Sequence, residues 1–119
     1  MKLDFINKRI AELCAEKHVS EREVSLAIGR SESYINYITN GKMLPSMEKF
    51  LNICEYFNIG ANEFFDEDIE QPLLSKELYN EVKRLSNNDL HSFIDFIKNI
   101  EPEEYKMFLQ FLQKYRNKE

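Results

Sequence analysis

Apolar positions recur along this chain with a helical period. Ile6, Ile10, Leu13 and Cys14 fall three or four residues apart, with Phe5 at one edge and Lys8, Arg9, Glu12 and Glu16 on the opposite, wet side. That spacing predicts a helix from Asp4, its expected cap, to Lys17. Further on, Ser46 precedes Met47, Phe50, Leu51 and Cys54, a second apolar stripe extended by Phe57. Pro45 bars an earlier start, so this helix is predicted over about 47–56. Asn58-Ile59-Gly60 breaks it, with Ile59 expected to tuck back as an apolar plug, and Ala61 to Phe65 form a short fifth helix.

Between these helices, Ser20 to Gly41 reads as two short helices around a tight turn. Ser20 is a good N-cap, and Glu23 three residues later completes a capping box. Val24, Ala27 and Ile28 supply a short apolar face, and Gly29 permits the positive φ of a sharp stop. Ser31 is expected to cap the next helix, Glu32 to Thr39, which Asn40-Gly41 ends. Two short helices around a Gly-containing turn fit a helix-turn-helix. With Ile35 and Ile38 inward, Ser33, Asn36 and Tyr37 point away from the core, flanked by Glu32 and Tyr34. Such a face can donate to and accept from base edges, and Tyr can cover a thymine methyl. The plainer alternative is a solvated face with two tyrosines packed at their edges.

The rest of the chain is helical as well. Residues 67–74 form an acidic linker closed by Pro72, and Ser75 is expected to cap a helix to Leu85. Ser86 with Asp89 starts a helix to about Ile100, and Pro102 a last one to about Arg116. These two are unusually apolar. Stripes at 90, 93, 94 and 97 and at 105, 108, 109 and 112 close an αα-hairpin, while Phe96, Phe111 and Tyr115 spill outside them. A large apolar patch on a small protein marks an interface. The favoured reading is homodimerisation through Leu90, Phe93, Phe96, Ile97, Ile100, Phe108, Phe111, Leu112 and Tyr115. The alternatives are packing on the amino-terminal domain or a partner protein's helix in the same groove.

Composition narrows the function. The 119 residues are 43% hydrophobic and 31% charged, which suits one small globular domain with an appendage. No apolar run approaches the ~18 residues of a membrane span, and MKLDFINKRIAEL lacks a signal-peptide core, so a cytoplasmic protein without membrane contact is expected. Cys14 and Cys54 fall on apolar helix faces and read as reduced core thiols; there is no C-x-x-C, and His18 and His91 have no ligand spacing. No metal or cofactor is expected. There is also no Gly-rich phosphate loop and no G-x-S-x-G, and Glu103-Glu104 complements a helix dipole, so the chain is read as a non-enzyme. Net charge is −5: residues 1–66 carry −2 and residues 67–119 carry −3, so neither half is a basic module. Strong non-specific DNA binding needs more Lys and Arg than this; specific binding depends on the local field.

Five short helices with the turn unit second and third form a recognisable pattern. Ser20-x-x-Glu23-Val24, Gly29-x-Ser31, Ile35-x-x-Ile38-x-Asn40-Gly41-Lys42, Pro45-Ser46, Phe50-Leu51-x-x-Cys54 and Phe64-Phe65 carry it. From Arg9 to Asp66 the chain resembles the Cro/cI, or XRE-type, helix-turn-helix family. The resemblance implies an all-α protein: a five-helix lambda-repressor-like domain over 1–66, then a C-terminal helical oligomerisation segment over 75–119. It implies sequence-specific binding of double-stranded DNA, with helix three in the major groove. Glu32, Ser33, Tyr34 and Tyr37 sit where that family's base-contacting side chains project; Asn40, Lys42 and Arg30 sit at phosphate positions, and Ser31 and Asn36 complete the expected interface. Glu21 stands where the family often has Gln, Ser25 where it usually has Ala, and the recognition helix has no Lys or Arg. A dimeric transcriptional repressor on a palindromic operator follows. A different reading, favoured by Glu21 and Glu32, is a degenerate helix-turn-helix serving as an antitoxin-like or anti-repressor protein-interaction module.

Overall fold

The computed structural model describes the backbone of residues 1–117 and side chains through residue 114; the side chain of Tyr115 lies outside the described residues. Among the described residues all regular structure is helical: α1 Asp4–Lys17, α2 Glu21–Ala27, α3 Tyr34–Thr39, α4 Met47–Phe57, α5 Ala61–Phe65, α6 Pro72–Val82, α7 Asn87–Asn99 and α8 Pro102–Asn117. The chain divides into two compact units, one over residues 1–80 and one from residue 81 onward.

The first unit is built on one core. Ile10, Leu13 and Cys14 of α1 meet Val24, Ile35, Ile38, Phe50, Ile53, Cys54, Phe57 and Phe64, with Ile59 as the expected plug. Phe50 and Phe64 pack edge-on at 4.9 Å between ring centroids, with Phe65 5.0 Å from Phe64. Sequence and structure part at α4. Phe50, Ile53, Cys54 and Phe57 form its buried face, whereas Met47 and Leu51, expected inward, stand 72% and 56% exposed. The register is set by Phe57 and Ile53, four apart, and leaves Met47 and Leu51 on the other edge.

Arg9 corrects the wet side predicted for α1. Its side chain is only 1% exposed. Nε donates to Phe64 O at 3.0 Å, Nη2 to Asp66 O at 2.6 Å, and Nη1 to Ile69 O at 2.8 Å. Nη1 also reaches Glu12 at 3.1 Å, and the guanidinium lies 4.8 Å from the Phe5 ring centroid. Helix α5 ends with unpaired carbonyls, and a planar fork of five donors suits several of them at once. The stem is apolar and the head makes four hydrogen bonds, so an arginine is tolerated where periodicity alone would exclude it.

The same clasp changes the stretch expected to be a linker over 67–74. Its backbone is hydrogen-bonded to α1, and Pro72 is fully buried. Helix α6 starts at Pro72, not Ser75, with proline at a position where its missing N–H costs nothing. The cap comes from a distance: Glu16 accepts from the backbone N–H groups of Leu73 and Leu74, both at 3.0 Å. Lys76 pairs with Glu63 at 3.3 Å.

In the second unit, Ser86 accepts from the Asp89 N–H at 3.1 Å to start α7, as expected. Phe96 and Phe108 pack at 5.4 Å, so α7 and α8 meet. No residue of α7 is buried. Ten large apolar side chains between Leu85 and Leu112 stand 39–69% exposed, while Leu90, Phe93 and Ile100 are half-buried.

Candidate nucleic-acid interface

Helices α2 and α3 are joined by a turn whose hydrogen bonds are accounted for. Ser20 Oγ accepts from the Glu23 N–H at 3.0 Å, and Glu23 returns the bond to the Ser20 N–H at 3.4 Å, forming the expected capping box. Both helices then stop in the same way. Gly29, at φ +77°, donates to Leu26 O while Arg30 N–H reaches Ser25 O; Gly41, also at φ +77°, donates to Ile38 O while Lys42 N–H reaches Tyr37 O. Each pair is a Schellman motif, which needs a left-handed residue after the cap. Arg30 and Lys42 therefore occupy equivalent places, one residue beyond each glycine.

The start of α3 departs from expectation. It begins at Tyr34 rather than Glu32, and Ser33 holds the N-cap position without a side-chain cap bond. Ser31 contributes its backbone oxygen to the Tyr34 N–H instead of a capping hydroxyl. The orphan donor of Ile35 is met by Ser25, whose fully buried Oγ accepts from it at 2.9 Å and donates to Glu21 O at 2.8 Å. Serine in mid α2 thus joins the two helices, a role an alanine lacks the oxygen to fill.

Of the expected contact residues, Arg30, Ser31, Glu32, Asn36, Tyr37, Asn40 and Lys42 are exposed, and Ser33 is half-buried. They lie along the outer side of α3 and the turns at its two ends. Tyr34 does not join them. It is 5% exposed and belongs to the core, with the Arg30 guanidinium 4.8 Å from its ring centroid. It lies four residues before Ile38 and so shares the inward face. Its expected base contact is withdrawn on this ground. Tyr37 is 45% exposed, with Lys42 Nζ 5.5 Å from its ring centroid.

Two features are invisible to local pattern. Arg22 Nε pairs with Glu32 Oε2 at 3.1 Å, bringing a cation from α2 beside the turn. Glu21 accepts from Thr39 Oγ1 at 2.6 Å and from Asn36 Nδ2 at 3.5 Å, and Asn36 Oδ1 accepts from Asn40 Nδ2 at 2.9 Å. The Arg22–Glu32, Glu21–Asn36 and Glu21–Thr39 partners lie ten to eighteen residues apart, so only the packing of α2 on α3 brings them together. The surface offers amides, hydroxyls and an aromatic edge between basic groups. That chemistry suits hydrogen bonding to base edges flanked by phosphate contacts. Among the described residues no cluster of His, Cys, Asp and Glu could hold a metal.

Comparison with known proteins agrees with this geometry. Residues 10–64, a little under half of the chain, match a family model described as Helix-turn-helix, of the XRE type. The ImmF control region 10 kDa protein of Bacillus phage phi105 is 36% identical over 47 residues, which cover 40% of this chain and 52% of that protein. The chain thus spans about half the length of that relative. No solved structure gives a significant match.

Proposed function

Taking residues 10–64 as a helix-turn-helix domain of the XRE type, we propose that this chain is a DNA-binding transcriptional regulator that represses as a homodimer on a palindromic operator. The carrying observation is the outward row of exposed Asn36 and Tyr37 with half-buried Ser33, bounded by Arg30 and Lys42 beyond the two Schellman glycines. Helix α3 enters the major groove; Glu32, Ser33, Asn36 and Tyr37 face base edges, and Arg30, Asn40 and Lys42 face phosphates. Arg22 joins the phosphate-facing groups. The phage relative is named as a control region protein, which supports a regulatory role.

Dimerisation supplies the affinity that few cations leave wanting. Leu90, Phe93 and Ile100 are half-buried, and Phe96, Ile97, Phe108, Phe111 and Leu112 are exposed. Large apolar side chains of ~150–250 Å² each, about half uncovered, leave on the order of 800–1,000 Å² in this unit. A standard interface buries about 800 Å² per partner, so a second copy of the same hairpin matches the area to be covered. Two weak half-site contacts on one dimer then multiply through effective concentration.

The test is selection of duplex DNA from a random pool with the full chain, followed by gel shift. The expected product is a two-fold symmetric consensus with half-sites about one helical turn apart. Changing Ser33→Ala and Tyr37→Ala together abolishes preference for it. Specific binding that survives both changes refutes the reading surface. A pool that enriches nothing refutes DNA recognition altogether and favours the protein-interaction reading.

A further inference from the structure

The carboxylate of Glu21 sits on the candidate DNA face, where a phosphate-facing surface gains nothing from negative charge. Its contacts give it a different task. Asn36 and Asn40 share one amide–amide bond, Nδ2 of Asn40 to Oδ1 of Asn36 at 2.9 Å. Taken alone, that pair is degenerate: rotating both amides by half a turn gives an equally good bond with donor and acceptor exchanged. The carboxylate breaks the tie. It only accepts, so the edge of Asn36 that faces it at 3.5 Å must be the NH2 group. The Asn36 oxygen is then turned toward Asn40, and Asn40 must donate. The carboxylate is itself held by Thr39 Oγ1 at 2.6 Å, a charge-assisted bond across the α2–α3 joint.

We infer that Glu21 is a positioning residue for DNA selectivity, fixing the donor–acceptor sense of the Asn36–Asn40 amide pair and repelling phosphates whatever the base sequence. The inference rests on the proposed reading of α3 as the recognition helix. An amide of fixed sense tells a purine edge from its alternatives; one that flips reads both patterns and discriminates neither. The carboxylate adds a sequence-independent penalty that matched base contacts must overcome, which holds down non-specific affinity.

The experiment uses the full chain, its selected operator and a random-sequence duplex of equal length. Glu21→Gln keeps an acceptor for Thr39 but adds a donor, so Asn36 no longer has a forced orientation. Affinity for random duplex is expected to rise, and the ratio of operator to random affinity to fall about fivefold, the size of one lost hydrogen bond. Asn36→Ala lowers the ratio in the native background and changes it little in the Glu21→Gln background, because the two act through one amide. Thermal melting reads the structural part separately, and Glu21→Ala extends the comparison if Gln alters the joint. An unchanged ratio in Glu21→Gln, or additive losses in the double variant, overturns the inference while leaving DNA recognition standing. Failure to select any operator with the native chain overturns both.

Discussion

Replacing Arg9 tests whether the clasp between α1 and residues 64–69 holds the first unit together. Two effects compete. The ion pair with Glu12 involves a carboxylate half exposed to water, and such pairs contribute about 0–1 kcal/mol. The three bonds to the carbonyls of Phe64, Asp66 and Ile69, at 2.6–3.0 Å, are charge-assisted and lie at or near a fully buried guanidinium. Bonds to a charged donor contribute about 1.5–3 kcal/mol each. Arg9→Lys retains the charge and one carbonyl contact at most. Losing two of three bonds, with part of the loss recovered by water reaching Asp66 and Ile69, gives an expected destabilisation of about 2–4 kcal/mol. Glu12→Gln should cost less than about 1 kcal/mol. Urea unfolding followed by circular dichroism measures both, with unchanged slope in each case. If Arg9→Lys costs no more than Glu12→Gln, the carbonyl bonds are not what fixes this segment and the clasp argument fails.

Four further outcomes follow from the same geometry. Tyr34→Ala, in the core, should lose about 3–5 kcal/mol of stability, while Tyr37→Ala should lose under about 1 kcal/mol and fail on DNA; the reverse order in melting and gel shift would contradict their placement. Burial, with Glu21 acting on Cys14 and Glu63 on Cys54, pushes both thiols from 9.0 up to about 11. The folded chain keeps protons there that the unfolded chain has released, so this contribution is intact below pH 9 and is lost as pH rises toward 11; Cys54→Ala should flatten part of that fall in urea melts, and an unaltered slope would refute the assignment. The native chain should scatter as the proposed dimer and Phe111→Lys, at a position 63% exposed, as a monomer with α-helicity retained; equal masses for the two count against the hairpin interface. With Arg22, Arg30 and Lys42 as the cations, log affinity against log salt should have a slope of about −3 per copy, and a dimer near −10 would require cations elsewhere.

Much of this was legible in the sequence because it is local. The capping box at Ser20, the two glycine stops and the Ser46 and Ser86 caps involve neighbours three residues apart or a single residue's backbone, and the structure holds each of them. What pattern could not give is non-local. Periodicity assigned Arg9 to water because it counts charge as wet; the carbonyls that accept from Arg9 lie 55–60 residues away. Residues 67–74 read as a linker from acidity and Pro72, but Arg9 and Glu16 of α1 hold their backbone in place. Stepping from Ile35 and Ile38 sets Tyr34 at the flank of the reading face, and the family resemblance gives it a base contact. With the helix starting at Tyr34 and the Ile35 N–H met by Ser25, that tyrosine turns inward.

A net −5 argues against DNA only if the acids of the first unit are available to repel phosphate. Near the α2–α3 surface Glu32 is offset by a cation, and Glu21 supplies the penalty that matched base contacts overcome. Glu23 closes the capping box, Glu32 is paired with Arg22, and Glu21 holds Thr39 and Asn36. Paired at 3.1 Å, Glu32 and Arg22 present little net field beyond a Debye length of ~8 Å. The basic groups meanwhile occupy fixed backbone positions, Arg30 and Lys42 one residue past the glycines that end α2 and α3. Recognition on such a surface depends on hydrogen bonds of fixed sense rather than on accumulated positive charge. That makes it weak on any one half-site, and the uncovered apolar face of α7 and α8 is then what a second copy would use to join two half-sites.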